Sequence, residues 1–153
     1  MIDAAWSVAR FDALSAQALY DVLELRSAVF VVEQACVFQD LDGFDARALH
    51  VTGRDRAAGG ALLAYARYLP AGVKYAEASI GRVAVRQSAR GTGLGHALMR
   101  RALDCAMQQG GPQAVRIGAQ ARLAGFYRQH GFEPAGDAYL EDGVEHIEMM
   151  RPI

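Results

Sequence analysis

The hexapeptide Arg90-Gly91-Thr92-Gly93-Leu94-Gly95 has the residue types and spacing that most directly suggest chemistry. It follows a short β-branched run at 80–85, which predicts a strand, and it precedes a stretch with apolar residues at helical spacing. A glycine-rich turn between a strand and a helix leaves backbone N–H groups free at the positive end of the helix dipole. Because glycine also lets the backbone approach a ligand closely, the sequence predicts a phosphate or pyrophosphate site, with Arg90 adding a charged contact.

The spacing within this loop excludes two common phosphate-binding motifs. A Walker A loop ends in Gly-Lys-Ser/Thr, whereas Gly95 is followed by His96 and Ala97. The dinucleotide fingerprint would begin at Gly91 and would need a glycine at the position of His96. The remaining pattern, Arg-x-x-Gly-x-Gly after a strand, resembles the pyrophosphate loop of the GNAT superfamily of N-acetyltransferases, which bind acetyl-CoA.

A second segment resembles the same superfamily. Residues 123–132 are typical of a short helix ended by a glycine, and they contain the string Phe-Tyr-x-x-x-Gly-Phe. This string resembles the last helix of GNAT enzymes, where the tyrosine faces the thioester sulfur. We expect Phe126 and Phe132 to pack in the core. For Tyr127 the resemblance implies a general acid toward the departing thiolate, since a phenol of ordinary pKa near ~10 is protonated at neutral pH; a packing role is the alternative.

The resemblance implies a coenzyme site that runs from the strand before the glycine loop into the helix after it. In GNAT enzymes this strand offers backbone groups to the pantetheine arm and one N–H to the thioester oxygen. Gln120 stands where many relatives have an asparagine in contact with the pantetheine. We therefore expect the coenzyme to contact Val83, Ala84, Val85, Arg90, Gly91, Thr92, Gly93, Leu94, Gly95, His96, Gln120 and Tyr127.

The N-terminal part of the chain narrows the resemblance. Residues 25–36 and 39–45, together with His50, are similar to the ElaA-like branch of GNAT proteins, and the similarity spans almost the whole chain. It implies an α/β (mixed α+β) fold. The central sheet would be mixed and largely antiparallel, splayed between its fourth and fifth strands, flanked by helices, with the coenzyme in the gap.

The secondary-structure signals agree with that fold. We expect a strand at 6–10, a helix from an N-cap at Ser15 to about Val29, and a hairpin of strands 49–53 and 61–69 joined by a turn at 54–60. A central strand at 80–85, a helix at 93–109, a strand from Val115 and a helix from Leu123 follow. Strands at 133–139 and 147–151 are expected to close the sheet as a hairpin around Asp142-Gly143.

Composition restricts the function without identifying it. A chain of 153 residues with 52% hydrophobic residues is expected to form one domain over 1–153. The net charge of −1 and the scattered basic residues predict no nucleic-acid or membrane partner. The two cysteines and four dispersed histidines lack the spacing of a disulfide framework or a metal site, so no metal is expected. No apolar run approaches ~18 residues and no signal-type N-terminus is present, which predicts a cytoplasmic protein. For the oligomeric state, a monomer and a homodimer both stay open.

The acceptor site is harder to place from sequence. Arg26 falls on the apolar stripe of the first helix, where its charge needs a carboxylate or a ligand anion, so an ion pair and a substrate role both stay open. Glu33, one turn past Phe30, is the first candidate for taking the amine proton. His50 and His146 are further candidates for contacting the substrate or acting as base. The aspartates of the 39–45 loop either attract a cationic amine or form an ordinary solvated loop.

The function expected from these residues is acetyl-CoA-dependent transfer of an acetyl group to a primary amine of a small molecule or peptide. Acetyl-CoA is the cosubstrate, and Tyr127 and Glu33 are the expected catalytic residues. Two alternatives stay open: transfer of another acyl group or transfer to a hydroxyl, and a module that senses coenzyme A without catalysis.

Overall fold

The computed structural model describes residues 2–57 and 59–153, which form an eight-stranded sheet flanked by helices. The strands are β1 (Ala4–Arg10), β2 (Leu49–Asp55), β3 (Leu62–Leu69), β4 (Ala78–Val85), β5 (Val115–Gln120), β6 (Glu133–Pro134), β7 (Tyr139–Glu141) and β8 (Val144–Arg151). The helices are α1 (Ala16–Arg26), α2 (Leu94–Gly110) and α3 (Ala124–Arg128). The sheet order is β1-β2-β3-β4-β5-β8-β6, and β7 also pairs with β8.

The gap between β4 and β5 is the feature of the sheet that creates room for a ligand. Strands β1 to β4 are antiparallel neighbours, and β5 pairs with β8 in the same way. The pair β4–β5 is parallel and is in register only at Ala78–Val115 and Ser79–Arg116. Beyond Ser79 the two strands diverge, β4 continuing to Val85 and β5 to Gln120. The expected fold, a mixed and largely antiparallel sheet splayed between its fourth and fifth strands, is confirmed.

The first helix begins where its N-cap predicts and runs further than expected. The Ser15 hydroxyl accepts a hydrogen bond from the Ala18 N–H at 3.0 Å, which satisfies one of the free N–H groups of the first turn. After Arg26 the chain continues as a π-helical segment, Ser27–Glu33. This segment carries Phe30 and Glu33 to the open end of the sheet, and π-helical turns are frequent at functional sites.

Helices cover both faces of the sheet. On one face, α2 contributes Leu98, Met99 and Ala102, all fully buried, to a core shared with Ala64, Ala66 and Tyr68 of β3. On the other face, Val22 and Leu25 of α1 pack with Tyr65 and Ala84. Because β3 is buried on both faces, its sequence shows little alternation and is apolar except for Arg67.

The β2–β3 hairpin is confirmed by its antiparallel pairing, although Ala58 of its turn lies outside the described residues.

The last strands differ from the expectation. The single strand expected at 133–139 is wrong: β6 and β7 are separate short strands, and both pair with β8. Pro134 has no N–H to continue the ladder, which gives a physical reason for the interruption. The turn at Asp142-Gly143 is confirmed, with φ of 50° and 77°, as a tight two-residue hairpin requires.

Candidate active site

Two cavities occupy the gap between the diverging strands, and they meet. One has a volume of about 510 Å³ and lies at the start of α2; the other, of about 370 Å³, lies beside the β7–β8 hairpin. Six residues line both cavities, and they are Phe30, Gln34, Val83, Gln120, Leu123 and Tyr127. A ligand bound in either cavity therefore reaches the same junction.

The larger cavity contains the glycine loop predicted to bind pyrophosphate. Gly93 is the N-cap of α2 with φ of 83°, and no side chain caps the N–H groups of the first helical turn. Free N–H groups at a helix start are an anion-binding arrangement. Thr92 does not line the cavity; its hydroxyl donates to the Ala89 carbonyl at 2.6 Å and closes the turn. The loop and strand residues that line it are Val83, Ala84, Val85, Arg90, Gly91, Gly93, Leu94, Gly95 and His96.

Glu33 and Arg90 both line this larger cavity and are bound to each other. The guanidinium of Arg90 donates to both carboxylate oxygens of Glu33, one of them at 2.9 Å, and its Nε donates to the Val85 carbonyl at 3.0 Å. These hydrogen bonds lower the pKa of Glu33 below its ordinary value. Glu33 lines the larger cavity and not the smaller one. The structure therefore places it on the side of the expected coenzyme rather than beside an acceptor.

Tyr127 occupies the junction of the two cavities. It belongs to α3, is 7% exposed, and packs edge-on against Phe126 and Phe132 at ring-centroid distances of 5.2 and 6.0 Å. Burial raises the pKa of Tyr127 to about 12, so the phenol keeps its proton at neutral pH. The side chain thus has both of the features that the sequence left open, aromatic packing and access to the ligand space.

A bulge in β4 shapes the same junction. Tyr65 faces Ala84 and Arg67 faces Gly81, so two residues of β4, Arg82 and Val83, stand opposite one residue of β3. Arg82 has φ of 49°, which is unusual for a residue other than glycine. A bulge of this kind bends its strand and leaves backbone groups outside the ladder, and here it lies where Val83 lines both cavities.

Arg26 forms ion pairs and lines neither of the two cavities. It is fully buried; its guanidinium donates to Asp40 at 2.9 Å and to Asp45 at 2.7 Å. Arg67, 1% exposed, binds Asp42 at 2.7 Å and Asp45 at 3.0 Å. Of the two kinds of partner that the sequence left open for Arg26, a carboxylate or a ligand anion, the structure shows carboxylates.

The same contacts correct the expectation of an acidic entrance. Arg82 adds a hydrogen bond to Asp42 at 3.2 Å and another to the Asp40 carbonyl at 2.9 Å. Burial would raise the pKa of Asp42, but the hydrogen bonds from Arg67 outweigh it and hold that pKa well below its usual range. The aspartates of the 39–45 loop are therefore paired with Arg26, Arg67 and Arg82, and they do not form a free negative patch.

The two candidate histidines have different surroundings. His50 is 1% exposed, its Nδ1 lies 2.7 Å from the Tyr65 hydroxyl, and its Nε2 lies 2.9 Å from the Asp45 carbonyl oxygen. Burial lowers the pKa of His50, and it lines neither of the two cavities. His146 lies on β8 and lines the smaller cavity. The structure thus separates two residues that the sequence ranked together.

Several lining residues of the smaller cavity had no individual signal in the sequence. They come from the 36–44 loop, the loop before β4 and the β7–β8 hairpin, and they include Cys36, Phe38, Phe44, Lys74, Tyr75, Tyr139 and Glu141. Gln120, expected at the pantetheine, lines both cavities and hydrogen-bonds to Gln34 at 3.1 Å and Arg122 at 2.9 Å. Only the tertiary fold brings these segments together.

The described part of the chain, residues 2–57 and 59–153, contains no group of three or more His, Cys, Asp or Glu side chains arranged to hold a metal ion. None of its helices combines the length and apolar character needed to cross a membrane.

Comparison with known proteins identifies the family. The Acetyltransferase (GNAT) domain family matches residues 56–151. Protein ElaA of Escherichia coli strain K12 is 40% identical, over 97% of this chain and 96% of its own length, and its crystal structure gives a TM-score of 0.89. The crystal structure of an acyl-CoA N-acyltransferase from Pseudomonas aeruginosa is 39% identical, covers 97% of this chain and 99% of that one, and gives a TM-score of 0.91. The chain therefore belongs to the GNAT acetyltransferase superfamily and is an ElaA-like protein.

Proposed function

We propose that this protein transfers an acetyl group from acetyl-CoA to a primary amine of a small molecule or peptide, by direct attack of the amine on the thioester. The observation that carries the proposal is the meeting of two cavities at Val83 and Tyr127, since a two-substrate transfer needs separate sites that share a reaction point. The name of the 39% identical acyl-CoA N-acyltransferase supports the donor class.

The larger cavity is the proposed coenzyme site. Pyrophosphate oxygens would accept hydrogen bonds from the free N–H groups at the start of α2, with Gly91, Gly93 and Gly95 allowing the backbone to come close. Arg90 would exchange its contact with Glu33 for a phosphate oxygen. The pantetheine arm would lie along Val83–Val85 and Gln120, with His96 lining the same space.

The chemistry at the junction follows from the groups placed there. The bulge in β4 leaves backbone N–H groups near Val83 outside the ladder with β3. These groups could donate hydrogen bonds to the oxygen of a tetrahedral intermediate. Tyr127 holds its proton at neutral pH, because burial raises its pKa to about 12. Once the carbon–sulfur bond begins to break, Tyr127 would donate that proton to the thiolate and make the thiol the leaving group.

The smaller cavity is the proposed acceptor site. Its volume of about 370 Å³ suits a small molecule or the end of a peptide, and its walls are partly aromatic, with Phe38, Phe44 and Tyr75. The proposal keeps the sequence expectations of one domain over 1–153, a monomer or homodimer, and a cytoplasmic location with no nucleic-acid or membrane partner.

Tyr127→Phe tests this function directly. Free thiol release from acetyl-CoA is measured with a panel of primary amines, and the acylated amine is identified by mass. The variant keeps the ring and its packing, so its affinity for acetyl-CoA and its Tm should stay near wild type. The value of kcat should fall roughly 10²- to 10⁴-fold, the usual contribution of a general acid. Thiol release by wild type that does not depend on any amine, or no release at all, would contradict amine acylation, and an unchanged kcat would contradict the acid role.

A further inference from the structure

The smaller cavity contains a histidine beside the point where the two cavities meet. In the β5–β8 ladder, His146 stands directly opposite Gln120, and Gln120 lines both cavities. Directly opposed residues have Cβ atoms about 4.5–5.5 Å apart, so the imidazole lies next to the junction that also holds Tyr127. The side chain is 13% exposed and is therefore largely held by its neighbours.

The hydrogen bonding of His146 fixes which ring nitrogen is free. Nδ1 lies 2.7 Å from the backbone carbonyl oxygen of Val144. A carbonyl oxygen only accepts hydrogen bonds, so Nδ1 carries the ring proton and Nε2 keeps its lone pair in the neutral side chain. Tyr139 stacks on the ring at 5.9 Å with an interplanar angle of 28°, which holds its orientation.

Glu141 stands where a positively charged imidazole would need a partner. Its Oε2 lies 3.6 Å from Nε2 of His146, too far for a strong hydrogen bond. In a catalytic triad the carboxylate binds the ring nitrogen opposite the base, whereas Glu141 faces the same nitrogen that would accept the proton, where its charge attracts an incoming ammonium and the imidazolium that forms. The arrangement leaves Nε2 accessible to an ammonium group that enters the cavity.

Three other candidate bases near the gap are already bound to neighbouring groups. Glu33 is held by Arg90 on the coenzyme side. Asp42 is bound by Arg67 and Arg82. The Cys36 thiol donates to the Asp142 carbonyl at 3.2 Å. Among the described groups that line the smaller cavity, His146 offers an imidazole nitrogen, Nε2, whose lone pair is not used in a hydrogen bond.

We propose that Nε2 of His146 takes the proton from the acceptor ammonium, with Glu141 as the positioning residue; this rests on the proposed acyl transfer. The proton moves from the ammonium nitrogen to Nε2, and the nitrogen lone pair then forms a bond to the thioester carbon. The carbon–sulfur bond breaks, the thiolate takes the Tyr127 proton, and the former amine nitrogen loses its second proton to solvent. Solvent restores the tyrosine proton and removes the imidazolium proton at the exposed rim. The balance is acyl-CoA plus ammonium giving amide, free thiol and one proton.

The pH dependence of this step also reflects the charged groups around the ring. They come from the β7–β8 hairpin, from β5 and its flank, and from the two loops that wall the cavity, and they are Tyr139, Glu141, Asp142, Arg122, Cys36, Lys74 and Tyr75. Because only the neutral imidazole can accept a proton, wild-type kcat/KM should rise with pH if His146 is the base.

His146→Gln tests the base with the most active amine of a panel containing an α-amino acid, a short peptide, a diamine and an aromatic alkylamine. At pH 7 we expect kcat/KM to fall roughly 10²- to 10⁴-fold, and the defect to shrink as rising pH deprotonates the amine. Hydroxylamine, which is largely neutral at pH 7, should show a much smaller defect. Glu141→Gln should give a smaller loss than His146→Gln, and the neighbouring exposed Glu145→Gln should behave as wild type.

A second measurement does not depend on the acceptor. Long-range ¹H–¹⁵N correlation spectra of the wild-type protein should show His146 with its proton on Nδ1, and an Nε2–H tautomer would overturn the proposal.

If wild type releases no thiol with any amine, the acyl-transfer function fails and the inference fails with it. Suppose that wild type is active, that His146→Gln keeps the wild-type pH profile, and that its loss of activity is the same with the amine and with hydroxylamine. In that case only the base assignment is wrong. Unchanged Tm and acetyl-CoA affinity in His146→Gln exclude misfolding as the cause.

Discussion

The contact between Glu33 and Arg90 places a carboxylate where a phosphate is proposed to bind. Both side chains are partly exposed, at 31% and 40%, so their mutual attraction is modest. Arg90 cannot keep the two-point contact with Glu33 and also face a pyrophosphate with the same nitrogens. Glu33 is thus expected to compete with the coenzyme for Arg90, rather than to remove a proton from the amine.

Glu33→Gln separates these two roles. If Glu33 competes for Arg90, the variant should bind acetyl-CoA more tightly, by up to about fivefold, the range of a surface ion pair, with kcat nearly unchanged. The gain should shrink at high salt, because both contacts are screened. Isothermal titration and steady-state kinetics provide the measurement. Glu24→Gln is the matched control, since Glu24 and Arg86 form a similar pair at 3.1 and 3.2 Å and line neither cavity. A large fall in kcat that recovers at high pH would restore Glu33 as the base.

Residue types predicted the geometry of the glycine loop better than that of the smaller cavity. The glycine loop and Tyr127 lie within short segments, so their spacing alone predicts both their structure and their neighbours. The choice between Glu33, His50 and His146 depends on which partners each side chain finds across the fold. Arg90 and Glu33 are 57 positions apart, and no local pattern reports such a contact.

The glycine loop and the first turn of α2 act as one element. Gly93 adopts φ of 83°, so any side chain there strains the backbone as well as entering the cavity. Gly95 has no such strain; a Cβ at this position would make ordinary contacts, 3.6 Å from Phe126 and 3.8 Å from Val85. Gly95 is therefore the cleaner position for testing close approach of a ligand to the backbone.

Gly95→Val should leave a folded protein that has lost most of its acetyl-CoA binding. The branched side chain occupies space that Gly95 leaves open beside the N–H groups of α2. Thermal stabilisation by acetyl-CoA, measured by scanning calorimetry, should therefore decrease strongly while the apo protein still unfolds cooperatively. Ala97→Val, in the same helical turn and outside the cavity lining, is the control and should keep its ligand response. Wild-type affinity in Gly95→Val would place the pyrophosphate elsewhere.

Element boundaries were predictable where a local signal ended the element. The Ser15 cap and the Asp142-Gly143 turn are examples, since each satisfies backbone groups with residues next to it in sequence. The π-helical continuation of α1 and the division of 133–139 into β6 and β7 depend on packing against other elements. Sequence periodicity does not contain that information.

At the scale of the whole molecule, a largely buried ion network joins the 39–45 loop to α1, β3 and β4. Arg26 from α1, Arg67 from β3 and Arg82 from the bulge of β4 all bind the 39–45 loop. This loop also supplies Asp42 and Phe44 to the wall of the smaller cavity. The network therefore couples the stability of the fold to the shape of the smaller cavity, the proposed acceptor site.

Asp45 is the central carboxylate, because it binds both Arg26 at 2.7 Å and Arg67 at 3.0 Å. Burial would raise its pKa, but the hydrogen bond from Arg26 and the charges of both arginines lower it below the ordinary value. A carboxyl group whose pKa is lowered by folding stabilises the fold above its unfolded pKa, near ~4 for aspartate. That contribution is lost as the pH falls through the lower, folded value.

Asp45→Asn should therefore destabilise the protein in a pH-dependent way. At pH 7 the free energy of unfolding should fall by about 3–5 kcal/mol, because two buried arginines each lose a carboxylate partner. The difference from wild type should shrink as the pH is lowered from about 5 toward 2, where the wild-type carboxyl also becomes neutral. Urea unfolding at several pH values measures both effects. Asp104→Asn, on the exposed face of α2, is the control and should change stability little at any pH. A loss at pH 7 that stays constant on acidification would show that Asp45 acts through shape and hydrogen bonding rather than through its charge.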